Sequence, residues 1–94
     1  MPLSHASIGI IGDYDAAYTG HRDTCEALEA AGRRVGVEIS YEWVATGAIE
    51  QAGSSLLGAF DGLWASPGSP YRSMNGALAG VRYAREHGRP FIGT

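Results

Sequence analysis

Four stretches of this chain hold residue types that can do chemistry. Asp13 and Asp15 follow the apolar run Ile8-Gly9-Ile10-Ile11-Gly12, and His21 and Arg22 open a helix-like stretch. Pro67-Gly68-Ser69-Pro70 is a turn cluster followed by Tyr71-Arg72, and Phe91-Ile92-Gly93-Thr94 ends the sequence. Gly68 in its Pro-Gly-Ser-Pro setting serves a tight turn on any fold, and the alternative is a backbone N–H that approaches a developing oxyanion without a Cβ in the way. The planar fork of Arg72 suits a carboxylate, although a solvated loop arginine has the same sequence. Asp13 and Asp15 are helix-capping residues by default, with a polar rim or substrate contact as the alternative. His21 and Arg22 face the same rim, where binding or processing is their functional reading. A strand that runs into small residues, as Phe91 to Thr94 does, can open onto an elbow that presents a strained nucleophile. Cys25 lies on an apolar helical stripe and reads as core, and His5 and His87 read as surface residues. No His, Cys and carboxylate set has metal-ligand spacing. The Gly9/Gly12 run lacks the third glycine of a dinucleotide fingerprint, so no cofactor is expected.

The elements that must position these residues alternate in type. Ile8–Gly12 is a short apolar run consistent with a buried parallel strand. Thr19–Arg34 carries Cys25, Leu28 and Ala31 at helical spacing, with Gly32 as a C-cap signal. Val35–Val44 alternates apolar and polar residues, which marks a strand near a sheet edge with one wetter face. A weaker helix spans Gly47–Leu57, and Phe60–Ser66 leads through a third strand into the turn Pro67–Pro70. The last helix, Met74–His87, has Leu78, Val81 and Ala84 on one stripe, and Gly88 and Pro90 end it before a fourth strand. Alternating strands and helices imply parallel strands joined by right-handed crossovers. The carboxyl ends of all four strands, with Asp13, Gly68 and Thr94, would then share one rim, where open α/β sheets bind ligands.

Composition narrows the function classes. The 94 residues, 45% hydrophobic and 18% charged, allow one domain at most. A net charge of −3 argues against nucleic acid as a partner. All 7 basic residues are arginine, so no lysine is present to form a Schiff base. The single Cys25 excludes an internal disulfide framework and fits a reducing compartment, so the expected location is cytoplasmic. No apolar stretch approaches the ~18 residues of a membrane span, and no membrane partner is expected.

Five segments together resemble a known family. Ile8-Gly9-Ile10-Ile11-Gly12-Asp13-Tyr14, Glu26-Ala27-Leu28, Glu42-Trp43-Val44, Asp61-Gly62-Leu63, and Gly80–Glu86 followed by Arg89–Gly93 are similar, in order and spacing, to the start of the glutaminase domain of the CTP synthases. Those domains belong to the class I, or triad, glutamine amidotransferases. The resemblance covers about Ile8 to Thr94. It implies a flavodoxin-like open parallel sheet with helices on both faces, of which residues 1–94 are the N-terminal half. It implies a cysteine nucleophile immediately after Thr94, with the family's His and Glu about a hundred residues further on. On this reading no catalytic residue lies in the chain itself. Gly68, Ser69 and Arg72 are the oxyanion and substrate-binding candidates, while Asp13, His21 and Thr94 are rim or processing candidates.

The chain also departs from that family. The Val-Pro-Gly-Gly-Phe-Gly-type loop of CTP synthases is replaced by Ala65-Ser66-Pro67-Gly68-Ser69-Pro70, which keeps one glycine, Gly68. Proline has no N–H, so Pro67 and Pro70 cannot donate to an oxyanion. The departure leaves open a flavodoxin-like hydrolase or transferase acting on another amide, an ester or a nucleoside. A non-catalytic regulatory subunit is the third reading. The expected partners are a second polypeptide carrying the C-terminal half of the domain, a small-molecule amide substrate, and further copies of the assembled unit. A precursor cleaved after Thr94, a chemically altered nucleophile and an arbitrary end are the three readings of the terminus.

Overall fold

The computed structural model describes residues 4–15, 17–66 and 71–93. Its order is β1 (Ser4–Ile11), α1 (Thr19–Val35), β2 (Val37–Val44), α2 (Thr46–Ala52), a 3-10 turn (Ser54–Ala59), β3 (Gly62–Ala65), α3 (Met74–Glu86) and β4 (Phe91–Gly93). The strands form one parallel sheet in the order β2-β1-β3-β4. This is the flavodoxin-like α/β arrangement expected from the alternation, with the alternating strand β2 at an edge.

Side-chain parity divides the helices between the two faces. Ile11 and Val44 are paired in register and point to one face. There they join Ile49, Leu57, Phe60, Leu63 and Ala84 in the core under α2, the 3-10 turn and α3. Ile39 has the opposite parity on β2 and packs beneath Gly32 of α1, so α1 covers the other face. Ile10, Ile11, Ile49 and Leu57 are almost wholly removed from water. A fully buried side chain of this size contributes about 1.5–3 kcal/mol.

Several local expectations shift, each for a packing reason. β1 begins at Ser4 rather than Ile8, because its first half pairs with the beginning of β2, Ser4 opposite Val37. Val35 ends α1 instead of starting β2, and the C-cap is Gly36 at φ 72°, a left-handed position that favours glycine. Gly32, expected as that cap, instead lies under the sheet, where an added Cβ would stand 2.8 Å from the Val37 carbonyl oxygen. The expected helix over Gly47–Leu57 breaks at Gly53, φ 90°, and continues as a 3-10 turn. The stripe of α1 is also differently phased. His21, Thr24, Leu28 and Gly32 are buried, whereas Ala31 is exposed and Cys25 half-buried. In α3 the packing face is the small-residue row Gly76, Ala77, Gly80 and Ala84, and Leu78 points outward. Small residues let α3 come close to the sheet: a Cβ on Gly80 would be 2.6 Å from Ile11 Cδ1.

Candidate rim site

The parallel register brings the carboxyl ends of the strands together. Gly12 N–H donates to the Val44 carbonyl at 3.1 Å and Ser66 N–H to the Ile11 carbonyl at 3.1 Å. The ends of β2, β1 and β3 are thus stitched side by side, and Ala65 is in register with Gly93 of β4. The strand order reverses between β1 and β3, the switch point where ligands enter open α/β sheets. The connections after β1 and β3 flank it. Gly68, Ser69 and Thr94 lie outside the described residues.

Asp13 sits at this junction as a three-way acceptor. Its carboxylate accepts from Thr46 N–H at 3.0 Å, Thr46 Oγ1–H at 2.7 Å and Arg72 N–H at 2.9 Å. Thr46 opens α2, so Asp13 caps that helix from another element. Burial alone would raise the Asp13 pKa, but those hydrogen bonds and the nearby Arg72 charge outweigh it and hold the carboxyl below its ordinary range. The network continues outward. Ser73 N–H donates to Thr46 Oγ1 at 2.9 Å, and Ser73 Oγ donates to Glu50 at 2.8 Å while accepting Gly76 N–H at 2.9 Å as the N-cap of α3. The side chain of Arg72 is exposed at the rim.

Tyr71 and Ser66 complete the rim. The Tyr71 hydroxyl donates to the Ser66 carbonyl at 2.8 Å. Burial, then the Asp13 charge, raise the Tyr71 pKa, so the phenol keeps the proton it donates. Ser66 is fully buried and its Oγ has no hydrogen-bond partner among the described residues. A Cβ on Gly12 would fall on that oxygen, so glycine is required there by close approach.

His21 is buried, 5% exposed, rather than open to the rim. Its Nδ1 accepts the Asp15 N–H at 3.0 Å. Tyr14, Tyr18 and Trp43 surround the ring at centroid distances of 5.9, 4.7 and 4.9 Å. Asp15 Oδ1 also accepts Ala17 N–H at 2.9 Å, so Asp15 and His21 together shape the turn into α1. Cys25 accepts from Trp43 Nε1–H at 3.3 Å beside this cluster. His5 and His87 are on the surface, as expected.

The structure therefore joins Asp13 to the backbone of Arg72, while His21 stands apart in its own aromatic cluster. Thr46, Ser66, Tyr71 and Ser73 were not singled out by sequence. Ser73 had a usable signal, a serine just before an expected helix. The Asp13–Arg72 link spans 59 residues and leaves no local trace.

No protein-family profile matches the chain. It is 30% identical to the CTP synthase of Herpetosiphon aurantiacus over 94 residues, which cover 99% of this chain and 18% of that protein. Identity to the CTP synthase of Roseiflexus castenholzii is 32% over 93 residues, 98% of this chain and 17% of that protein. The CTP synthase of Moorella thermoacetica is 30% identical over 89 residues. The chain is thus similar over nearly its whole length to a region of CTP synthases, and spans under a fifth of the relatives it matches.

Proposed function

We propose that residues 1–94 form the N-terminal part of a CTP-synthase-like glutaminase domain, completed by further polypeptide that carries the catalytic residues. The observation that carries this reading is the identity of 30% to a CTP synthase, running through 99% of the chain. The joined ends of β1 and β3 support it, because they bring Asp13 to the backbone of Arg72 at the switch point of the sheet. In the proposed reaction a cysteine thiolate following Thr94 attacks the γ-amide carbon of glutamine. The carbonyl electrons move onto oxygen, ammonia leaves with a proton from a general acid, and a glutamyl thioester remains. Water then hydrolyses the thioester to glutamate and returns the thiol.

The chain contributes to binding and charge stabilisation rather than to the nucleophile. Gly68 N–H would stabilise the oxyanion, Ser69 would line its loop, and the Arg72 guanidinium would take the substrate carboxylate. No helix among the described residues is long and apolar enough to cross a membrane, and a cytoplasmic enzyme is the proposed setting.

A second reading, hydrolysis of another amide, an ester or a nucleoside, draws on Pro67 and Pro70, which remove two N–H groups from the loop. A substrate panel on the full-length protein separates the two. Ammonia release from glutamine above that from asparagine and simple esters supports glutaminase. Turnover confined to a non-glutamine substrate supports the second reading, and no turnover of any substrate supports a regulatory subunit.

A further inference from the structure

The entry of α1 depends on the ring of His21. Tyr18 is the N-cap of that helix and makes no side-chain cap hydrogen bond. Asp15 holds the entry instead, through three of its groups. Its carbonyl accepts Tyr18 N–H at 3.0 Å and its carboxylate accepts Ala17 N–H at 2.9 Å. Its own N–H donates to His21 Nδ1 at 3.0 Å. The last bond fixes the state of the ring, because a nitrogen that accepts carries no proton. The buried ring that makes it is therefore the neutral imidazole. Tyr14, Tyr18 and Trp43 close around it, and Tyr14 also meets Trp43 at 5.0 Å between centroids.

We propose that His21 is a pH-responsive latch on the rim: neutral, it holds the Asp15 N–H within the aromatic cluster, and protonated, it releases that bond and loosens the entry of α1. The imidazolium has two N–H donors and no acceptor, so protonation and the Asp15 bond exclude each other. By linkage, the bond is present above the pH at which the ring titrates and is lost as pH falls through it. Histidine is the side chain that ordinarily changes charge between about pH 5 and 8. The other titratable groups around the ring are Tyr14, Asp15 and Tyr18 at the entry of α1, and Arg22, Asp23 and Cys25 on the helix itself; β2 presents Trp43, which does not titrate. Ordinary phenol, carboxyl, guanidinium and thiol values lie outside that window. Only Tyr14 separates Asp15 from Asp13, the carboxylate that joins the end of β1 to Thr46 and Arg72. Release of Asp15 thus loosens the chain beside that joint. The latch is independent of the glutaminase reading.

Solution NMR of the full-length protein, with isotope-labelled histidine and aspartate, tests it. Between about pH 8 and 5, the Asp15 amide resonance is expected to move with the same midpoint as the His21 ring. Its protection against hydrogen exchange is expected to fall about tenfold, the size of one hydrogen bond. His21→Asn supplies an acceptor oxygen that does not titrate, so its Asp15 amide is expected to stay in place over the same range. An Asp15 amide that stays unchanged while the His21 ring titrates overturns the latch. So does a His21 ring that remains neutral down to about pH 5, or an Asp15 amide that moves in His21→Asn as it does in the parent. If His21→Asn does not fold, the two midpoints in the parent decide: agreement supports the latch, and disagreement overturns it.

Discussion

Asp13 shows how a residue with a plausible chemical role can be taken up by structure. Its carboxylate is occupied by two donors from Thr46 and one from Arg72, which makes it a joint between three elements. Because its folded-state pKa is lowered, its contribution to stability is present above the unfolded carboxyl value of about 3.9 and is lost as pH falls through the lower folded value. Urea unfolding of the full-length protein is therefore expected to weaken below about pH 4. Asp13→Asn should be less stable at neutral pH and show a smaller acid-dependent loss. Equal pH profiles for the two proteins would remove Asp13 from this role. His21 makes the complementary point: a histidine near a rim is here walled in by Tyr14, Tyr18 and Trp43. Sequence placed both residues near strand ends, but the partners of Asp13 lie 33 and 59 residues along the chain, and His21 joins its near neighbours Tyr14, Asp15 and Tyr18 to the distant Trp43. Only folding brings Thr46 and Arg72 to Asp13.

At the scale of elements, close backbone approach separates the glycines. Gly76 opens α3 against the start of α2, where a Cβ would collide with the Thr46 carbonyl oxygen, a backbone atom that cannot move aside cheaply. Gly76→Ala is expected to destabilise by about 1–3 kcal/mol, as overpacking does. Gly47 lies within α2 with nothing inside 4 Å of its added Cβ, so Gly47→Ala should stabilise by about 0.5–1 kcal/mol. Denaturant midpoints of the two variants check the contrast, and similar shifts in both would contradict it. The same effect explains why helix phases were less legible than strand order. The buried row of α3 is made of glycines and alanines, and that of α1 takes in His21, Thr24 and Gly32 beside Leu28, so hydrophobicity pointed to Ala31 and Leu78 while contact went to Gly32 and Gly80. The strand alternation of β2 was legible because Ile39, Tyr41 and Trp43 are large and their neighbours Glu38, Ser40 and Glu42 are polar.

At the scale of the whole molecule, β4 is an edge with apolar residues in water. Phe91 is 37% and Ile92 56% exposed, and the two point to opposite faces because Phe91 registers with Leu63 and Ile92 with Trp64. On α3, Leu78 is also 53% exposed. Exposed apolar edges of this kind are places where sheets add strands or partners. Residues 1–94 expressed alone are expected to self-associate, and to become monodisperse only with the further polypeptide proposed above to complete the sheet. Sedimentation of the fragment as a cooperative, monodisperse monomer would contradict that expectation.

The proposed glutaminase role rests on Gly68 as a donor to the oxyanion. Ammonia release from glutamine, measured for the parent and for Gly68→Val at equal fold content, tests it. Release by the parent and a loss of roughly 10²-fold in kcat for the variant are expected. Equal kcat in the two proteins would contradict it.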